Sequence, residues 1–248
     1  MEIIAHRGAS HDAPENTVAA ARLAWAQGAD ALECDVRTTA DGRLVALHDA
    51  DLRRVGGAAT GIADLTWAAV RDVDVGRWKA ESFRGERVPA LEELLAVTPA
   101  GKRVLIEIKD GVASVEPVAR VVEATAGPHA RVAVIAFDLA VAVAAKGRLP
   151  AADVLWIIDS PRLEVRTWET LVTTAQAAGV DGLDVHCAWP NPAAAVRRAR
   201  EAGLRTYVWT VDTPGTARRW RDAGADGLTT NRPGWLRSKL QECDVRPS

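Results

Sequence analysis

Cysteine, methionine, tyrosine and phenylalanine are scarce in this chain: 3, 1, 1 and 2 of them in 248 residues. Cys34, Cys187 and Cys243 are odd in number and lack C-x-x-C spacing, which argues against zinc and redox sites and leaves reduced, structural thiols as the expectation. A chain of this length closes a hydrophobic core without covalent staples, so small disulfide scaffolds are excluded. An excess of charge of one sign is missing too. The 31 basic and 33 acidic residues leave a formal net charge of -2, and no basic run is present, so general affinity for nucleic acid or an anionic membrane is not expected. Only five basic residues are lysines (Lys79, Lys102, Lys109, Lys146 and Lys239), a bias we read as genomic composition.

Long apolar runs are also lacking. The most membrane-like stretch, Val132 to Ala145, is interrupted by Asp138, flanked by Arg131 and Lys146, and shorter than the roughly 20 residues a membrane helix needs. It reads as a buried strand followed by a core-facing helix, with no stable membrane insertion. Met1 to His6 enters a polar motif after three apolar residues, which leaves no room for a signal-peptide apolar region. The expected start of the mature chain is therefore Met1, and its expected location is cytoplasmic.

What is present is a rhythm. Short apolar runs at Ile3–Ala5, Ala31–Val36, Val104–Ile108, Val132–Ala136, Val154–Ile158, Gly182–Val185, Arg205–Trp209 and Gly227–Thr229 read as strands. Helical patterns lie between them, at Thr17–Gln27, Leu91–Val97, Val115–Ala126, Leu139–Lys146, Leu163–Ala178, Pro192–Ala202 and Thr216–Ala223. Eight strand–helix units in a chain of this size fit a (β/α)₈ TIM barrel. A doubly wound open sheet is the rival, weakened because no G-x-G-x-x-G follows the first strand.

The phrase Gly, one residue, Asp recurs at Gly28-Ala29-Asp30, Gly179-Val180-Asp181 and Gly224-Ala225-Asp226, where a helix cap meets the next strand. One region breaks the rhythm. Asp49 to Val88 holds several glycines, Trp67, Trp78 and mixed charges, and is too long for a plain loop. The expectation is one barrel domain over residues 1–248 with a small insertion at about 49–88 after strand two, covering one end of the barrel or merely crossing its surface.

Alternate residues of a strand share a face, so Glu33 and Asp35 project together while Leu32, Cys34 and Val36 point to the helices. Glu107 and Lys109 repeat the arrangement against Val104, Ile106 and Ile108. The carboxylates then meet near the C-terminal ends of the strands, where barrel active sites are built. Asp41-Gly42, read as a two-residue hairpin turn, pairs Ala40 with Arg43 and Asp35 with His48, which aims His48 at the same place. His6 and Arg7 stand at the end of strand one. Each residue alone is ordinarily structural, but three buried carboxylates without a cation cost several kcal/mol per charge. One divalent cation answers that cost, and oxygen-only ligands favour Mg²⁺ or Ca²⁺ over zinc. A hard cation beside Arg7 and Lys109 suits a phosphate, and two histidines suit acid–base work on either side of phosphorus.

These residues fall into ordered motifs: His6-Arg7-Gly8, Pro14-Glu15-Asn16-Thr17, Glu33-Cys34-Asp35-Val36, Asp41-Gly42, His48-Asp49, Arg87-Val88-Pro89-Ala90-Leu91-Glu92-Glu93, Ile106-Glu107-Ile108-Lys109, Val208-Trp209-Thr210 and Gly224-Ala225-Asp226-Gly227. In order and spacing the sequence resembles the glycerophosphodiester phosphodiesterases over nearly its whole length. The resemblance implies a (β/α)₈ barrel with an insertion after strand two, and hydrolysis of deacylated phospholipids, small-molecule glycerophosphodiesters, to glycerol 3-phosphate and an alcohol. It implies Glu33, Asp35 and Glu107 as metal ligands, His6 and His48 as acid and base, and Arg7 and Lys109 as phosphate contacts. Asn16 is expected to support the site from behind, and Glu15 either does so or serves only as a helix-start charge. Trp209 is either a substrate wall or core packing. Ala136 stands where the family commonly has serine, and His186 is read as structural or pocket-lining. Two alternatives remain: a related barrel phospholipase of the sphingomyelinase D type, and a non-catalytic barrel binding phosphate esters.

Overall fold

The computed structural model describes residues 1–125, 131–159, 161 and 165–244. In chain order the elements are β1 (Glu2–Ala5), α1 (Val18–Ala26), β2 (Ala31–Thr38), β3 (Leu44–Ala46), β4 (Asp51–Leu52), α2 (Arg53–Gly56), β5 (Ala58–Gly61), α3 (Trp67–Val70) and α4 (Leu91–Ala96). They continue as β6 (Arg103–Ile108), α5 (Val115–Thr125), β7 (Arg131–Ala136), α6 (Leu139–Arg148), β8 (Asp153–Ile158), α7 (Trp168–Ala177), β9 (Gly182–His186), α8 (Pro192–Glu201), β10 (Arg205–Trp209), α9 (Pro214–Asp222), β11 (Gly227–Thr230) and α10 (Pro233–Asp244).

The sheet runs β1-β11-β10-β9-β8-β7-β6-β2-β3, and β1 also pairs with β2. That last pairing closes eight parallel strands into a (β/α)₈ barrel and excludes the open sheet, with β3 as an antiparallel appendage. All eight barrel strands coincide with the apolar runs of the sequence. The helices follow their caps: Thr17, Asp138, Thr167 and Thr213 each accept a backbone N–H from the first turn of the helix they precede. Helix α7 starts at Trp168 rather than Leu163, because Thr167 caps it there, and Leu163 lies outside the described residues. Helix α10 is additional to the helices read from the sequence.

The Gly-x-Asp repeat gains a physical meaning. Asp30, Asp181 and Asp226 each stand just before a strand and accept an N–H from the strand beside it: Ile3 at 2.9 Å, Val154 at 2.7 Å and Thr206 at 2.8 Å. Each carboxylate thus ties two neighbouring barrel strands at their N-terminal ends.

Two faces of the strands build two cores. Leu32, Cys34, Val36, Val104, Ile106 and Ile108 face outward into the layer between sheet and helices. Ile4, Ala31, Leu105, Ala133, Leu155 and Tyr207 fill the barrel interior. Below that layer, Arg103 binds Glu2, Asp153 and the Tyr207 hydroxyl, and Arg205 also binds Asp153. Every charge in this plug has a partner of opposite sign. Ala136 belongs to the outer core rather than the interior, so a serine at that position would lie on the helix side.

The hairpin register differs by one residue from the expected one. Val36 pairs with Ala46 and Thr38 with Leu44, so Asp35 faces Leu47 rather than His48. The loop holds three residues, not two, because Thr39 closes it: its N–H donates to the Arg43 carbonyl and its Oγ1 accepts from the Arg43 N–H, both at 2.9 Å. Residues 49–88 wrap a small apolar cluster of their own, in which Leu52, Val55, Ile62, Val70, Val75 and Val88 pack on Val45 and Leu47. Among the described residues no helix is long and apolar enough to cross a membrane. Cys34 and Cys187 are free thiols, and the side chain of Cys243 lies outside the described part.

Candidate active site

A cavity of about 180 Å³ opens at the C-terminal end of the barrel, lined by His6, Arg7, Glu33, His48, Glu107, Lys109, Trp209 and Asp184, among others. One oxygen each of Glu33, Asp35 and Glu107 lies within 4.8 Å of the others, and all three residues are buried. Strands β2 and β6 pair in register, with Asp35 beside Glu107, which brings the carboxylates together.

His6-Arg7-Gly8 turns the chain out of β1 over this triad. Arg7 has φ +54° and its N–H donates to Glu33 Oε2 at 2.8 Å. Gly8 has φ +84°, and a Cβ there would stand 2.6 Å from Ala20, so only glycine lets the turn lie against α1. The Arg7 guanidinium binds Glu15 at 2.9 Å and approaches Asp35 at 3.0 Å. Asn16 meets Asp35 twice: its Nδ2 donates to Oδ2 at 2.8 Å, and its Oδ1 accepts the Asp35 N–H at 3.1 Å. Lys109 donates to Glu107 at 2.6 Å and stands 3.4 Å from Asp35.

The triad is nonetheless under-satisfied. Glu33 Oε1 and Asp35 Oδ1 are buried without a hydrogen-bond partner. Burial, then the charges of Asp35 and Glu107, push the Glu33 carboxyl well above its usual range. Burial and Asp35 likewise push Glu107 up to about 7. Asp35 goes the other way: burial would raise it, but Arg7, Lys109 and His48 together lower it. Oxygen donors gathered on one point with two oxygens still unpartnered fit a hard divalent cation, so this acidic triad is able to bind a metal ion.

The histidines differ in what stands behind them. His6 Nδ1 lies 2.7 Å from Asn231 Oδ1, and burial with the Arg7 charge lowers its pKa to about 4. His48 leaves the hairpin after β3 ends at Ala46, which is how it reaches the cavity despite the shifted register. Its Nδ1 lies 2.8 Å from Asp49 Oδ1, whose own pKa falls to about 2 because hydrogen bonds from Arg54 and His48 outweigh its desolvation. Arg54, from the 49–88 segment, also grips Glu15 with two hydrogen bonds at 2.7 and 2.8 Å. Glu15 is therefore more than a helix-start charge: it is shared between Arg7 and Arg54.

On the opposite wall Trp209 lines the cavity and packs edge-on against Phe137 and His186, at 5.5 and 5.1 Å between centroids. His186 instead accepts the Ala188 N–H at 3.1 Å, which ties down the chain after β9. Asp184 went unrecognised in the sequence. It is 2 % exposed, its Oδ1 has no hydrogen-bond partner, and burial with the Glu107 charge raises it to about 8. The alternation that pointed to Glu33 and Asp35 was available here as well, since Leu183 and Val185 face outward around it.

The sequence signature of the glycerophosphoryl diester phosphodiesterase family matches residues 6–235. A glycerophosphodiester phosphodiesterase of Caldanaerobacter subterraneus is 29% identical over 238 residues, 94% of this chain and 95% of that protein. The Bacillus subtilis protein YhdW is 42% identical over a shorter stretch of 109 residues, 44% of this chain and 45% of that protein. An Oleispira antarctica phosphodiesterase, solved in complex with its product sn-glycerol-3-phosphate, shares the fold with a TM-score of 0.88 at 24% identity, covering 97% of both chains. With the ordered motifs gathered around one cavity, and the family signature running from the first cavity histidine to the last helix, this chain belongs to the glycerophosphoryl diester phosphodiesterase family.

Proposed function

We propose that the cavity hydrolyses deacylated phospholipids to glycerol 3-phosphate and an alcohol, using one divalent cation, Mg²⁺ or Ca²⁺, held by Glu33, Asp35 and Glu107. The observation that carries this reading is the buried triad with its two unpartnered oxygens, set beside two histidines in one cavity. The glycerol 3-phosphate bound by the Oleispira relative supports the substrate class. A small cavity suits a small diester better than an intact lipid. We read the reaction as part of the turnover of lipid-derived glycerol in the cytoplasm.

The cation, when bound, supplies positive charge to a non-bridging phosphate oxygen. Arg7 and Lys109 add to that field and orient the phosphate, with Asp35 beside Arg7 and Glu107 beside Lys109 holding the two side chains at the cavity. His6 is partly buried beside Arg7; desolvation and the Arg7 charge lower its pKa to about 4 and keep it neutral, so it takes the proton from the attacking nucleophile. Burial lowers the His48 pKa against the opposing pull of Asp35 and of the hydrogen bond to Asp49, so its proton is readily given up, and with the ring held at the cavity by Asp49 it passes that proton to the departing alkoxide. The new phosphorus–oxygen bond forms as the bond to the head-group alcohol breaks. Trp209 walls the leaving side, and Asn16 and Glu15 hold Asp35 and Arg7 in register.

The test is release of glycerol 3-phosphate from glycerophosphocholine, glycerophosphoethanolamine and glycerophosphoglycerol, with chelator and after refilling with Mg²⁺ or Ca²⁺. Full turnover in chelator would overturn the metal reading. Choline release from a lysolipid, with none from glycerophosphocholine, would move the protein to the sphingomyelinase D type.

A further inference from the structure

Behind His6 lies a chain of hydrogen bonds that starts at the tops of three neighbouring strands. Strand β11 pairs with β1, matching Ala5 to Thr230, and the His6 N–H donates to the Thr230 carbonyl at 2.9 Å. That pairing sets Asn231 beside His6, 225 residues away in sequence. The segment after β10 returns to β11 through the Val211 N–H, which donates to the Thr229 carbonyl at 2.8 Å, and this sets Asp212 beside Asn231.

We propose that Asp212 and Asn231 form a positioning relay that fixes the ring of His6, with the hydrogen on Nδ1 and Nε2 left as the nitrogen that exchanges protons in the cavity. Asp212 Oδ1 accepts both the Asn231 N–H and the Thr230 hydroxyl, each at 2.9 Å, which holds the carboxylate in place. Its Oδ2 then faces the Asn231 side chain. A carboxylate accepts and does not donate, so the amide must turn its NH₂ toward Asp212 and its oxygen toward His6. That oxygen accepts from the Ser10 hydroxyl at 2.9 Å and meets His6 Nδ1 at 2.7 Å. Ser10 is itself pinned by Lys79, whose Nζ donates to the Ser10 carbonyl at 2.7 Å. An amide oxygen cannot donate, so Nδ1 carries the hydrogen whether His6 is neutral or charged. The value of this tautomer to the reaction rests on His6 acting as the base proposed above. The reverse amide orientation would set two oxygens against each other at Asp212 and leave Nδ1 facing an NH₂ group.

The experiment is long-range proton–nitrogen NMR of the histidine rings in the full-length protein, with and without Mg²⁺, using His6→Gln to assign the His6 signals among the five histidines. The wild-type protein is expected to show Nδ1 protonated and Nε2 free. Asp212→Asn removes the lock on the amide and is expected to produce a mixture of the two ring tautomers. Its kcat should fall about 10- to 100-fold with KM changed less than about threefold, a part of the roughly 10²–10⁴ that a positioned acid–base group supplies. Asn231→Asp keeps an acceptor behind Nδ1, so it should keep the wild-type tautomer while moving the acidic limb of kcat/KM to higher pH. A merely structural role for Asp212 would leave the tautomer unchanged. A wild-type ring protonated on Nε2, or a tautomer that ignores Asp212→Asn in a folded protein, overturns the relay. Normal turnover by His6→Gln would instead overturn the acid–base reading and leave the tautomer standing.

Discussion

Glutamine at position 107 copies the neutral form of the acid it replaces, which makes Glu107→Gln a direct probe of the strain in the acidic triad. In the metal-free protein the Glu107 carboxyl is raised by burial and by Asp35 from an ordinary 4.5 to about 7. Between those two values the folded protein holds a proton that the unfolded chain has released, so the stability of the metal-free protein falls as pH rises through this window. Above pH 7 the penalty is complete. At 1.36 kcal/mol per pH unit it amounts to roughly 3 kcal/mol, whereas near pH 5 it is still under about 1 kcal/mol.

In chelator at pH 8.5, therefore, Glu107→Gln should be more stable than the wild type by about 3 kcal/mol, a rise of roughly 6–12 °C in Tm for a chain of this size. At pH 5 the two proteins should differ by less than about 1 kcal/mol. Adding Mg²⁺ should stabilise the wild type far more than the variant, and the variant should lose at least about 10²-fold in kcat, as expected when a group that stabilises developing charge is deleted. Melting curves at several pH values, with chelator and with Mg²⁺, read all of this in one series. A variant less stable than the wild type at pH 8.5 in chelator, or a difference that does not change with pH, would refute the argument that these carboxylates are held together against their own repulsion.

At the closed end of the barrel, Arg103→Ala leaves Glu2, Asp153 and the Tyr207 hydroxyl short of a donor, and urea denaturation should show a loss of about 3–5 kcal/mol. Asp226→Ala strands the buried Thr206 N–H and should cost about 1–3 kcal/mol by the same measurement, with kcat unchanged. Arg54→Ala releases both Glu15 and Asp49, so kcat should fall roughly tenfold, within the range expected when a supporting partner is removed, while stability changes by about 1 kcal/mol or less because the Arg54 side chain is partly exposed and its ion pairs are screened by solvent. Steady-state kinetics at saturating substrate would check the last of these, and an unchanged kcat would show that His48 does not depend on Asp49 being held.

Most of the barrel is legible because its strands are covered on both faces, and Val104-Leu105-Ile106 or Val132-Ala133-Val134-Ile135 can then be nothing but buried strand. Parity carried the acids: once Cys34 and Ile106 face the helices, Glu33, Asp35 and Glu107 have only the barrel interior left to them. The hairpin resisted because its loop is closed by a side chain. Thr39 Oγ1 accepts the Arg43 N–H and donates to Asp41, and a rule that looks only for Asp-Gly counts one residue too few. Asp184 escaped although the alternation of Leu183 and Val185 was there to read, because it is a lone acid on its strand with no second carboxylate two residues away to mark the inward face. The Asp212–Asn231–His6 contacts escaped for a different reason: they join the two ends of the chain, and only barrel closure brings those ends together.

The same barrel buries charge in two opposite ways. At its N-terminal end Arg103 and Arg205 meet Glu2, Asp153 and Tyr207, and among the described residues that cluster leaves no buried side-chain oxygen without a partner. An apolar layer of Ile4, Leu105 and Leu155 separates it from the C-terminal end. There Glu33, Asp35, Asp184 and Thr229 each keep a buried oxygen unpartnered, although Arg7 and Lys109 are close at hand. If neutralising the acids were the purpose, the plug shows that this fold could have done it with one more arginine. The cations at the open end each touch two carboxylates, Arg7 those of Glu15 and Asp35 and Lys109 those of Glu107 and Asp35, and still leave Glu33 Oε1 and Asp35 Oδ1 without a hydrogen bond. Such a concentration of unpartnered oxygens at one end of the barrel fits the small, positive, oxygen-seeking ion proposed above.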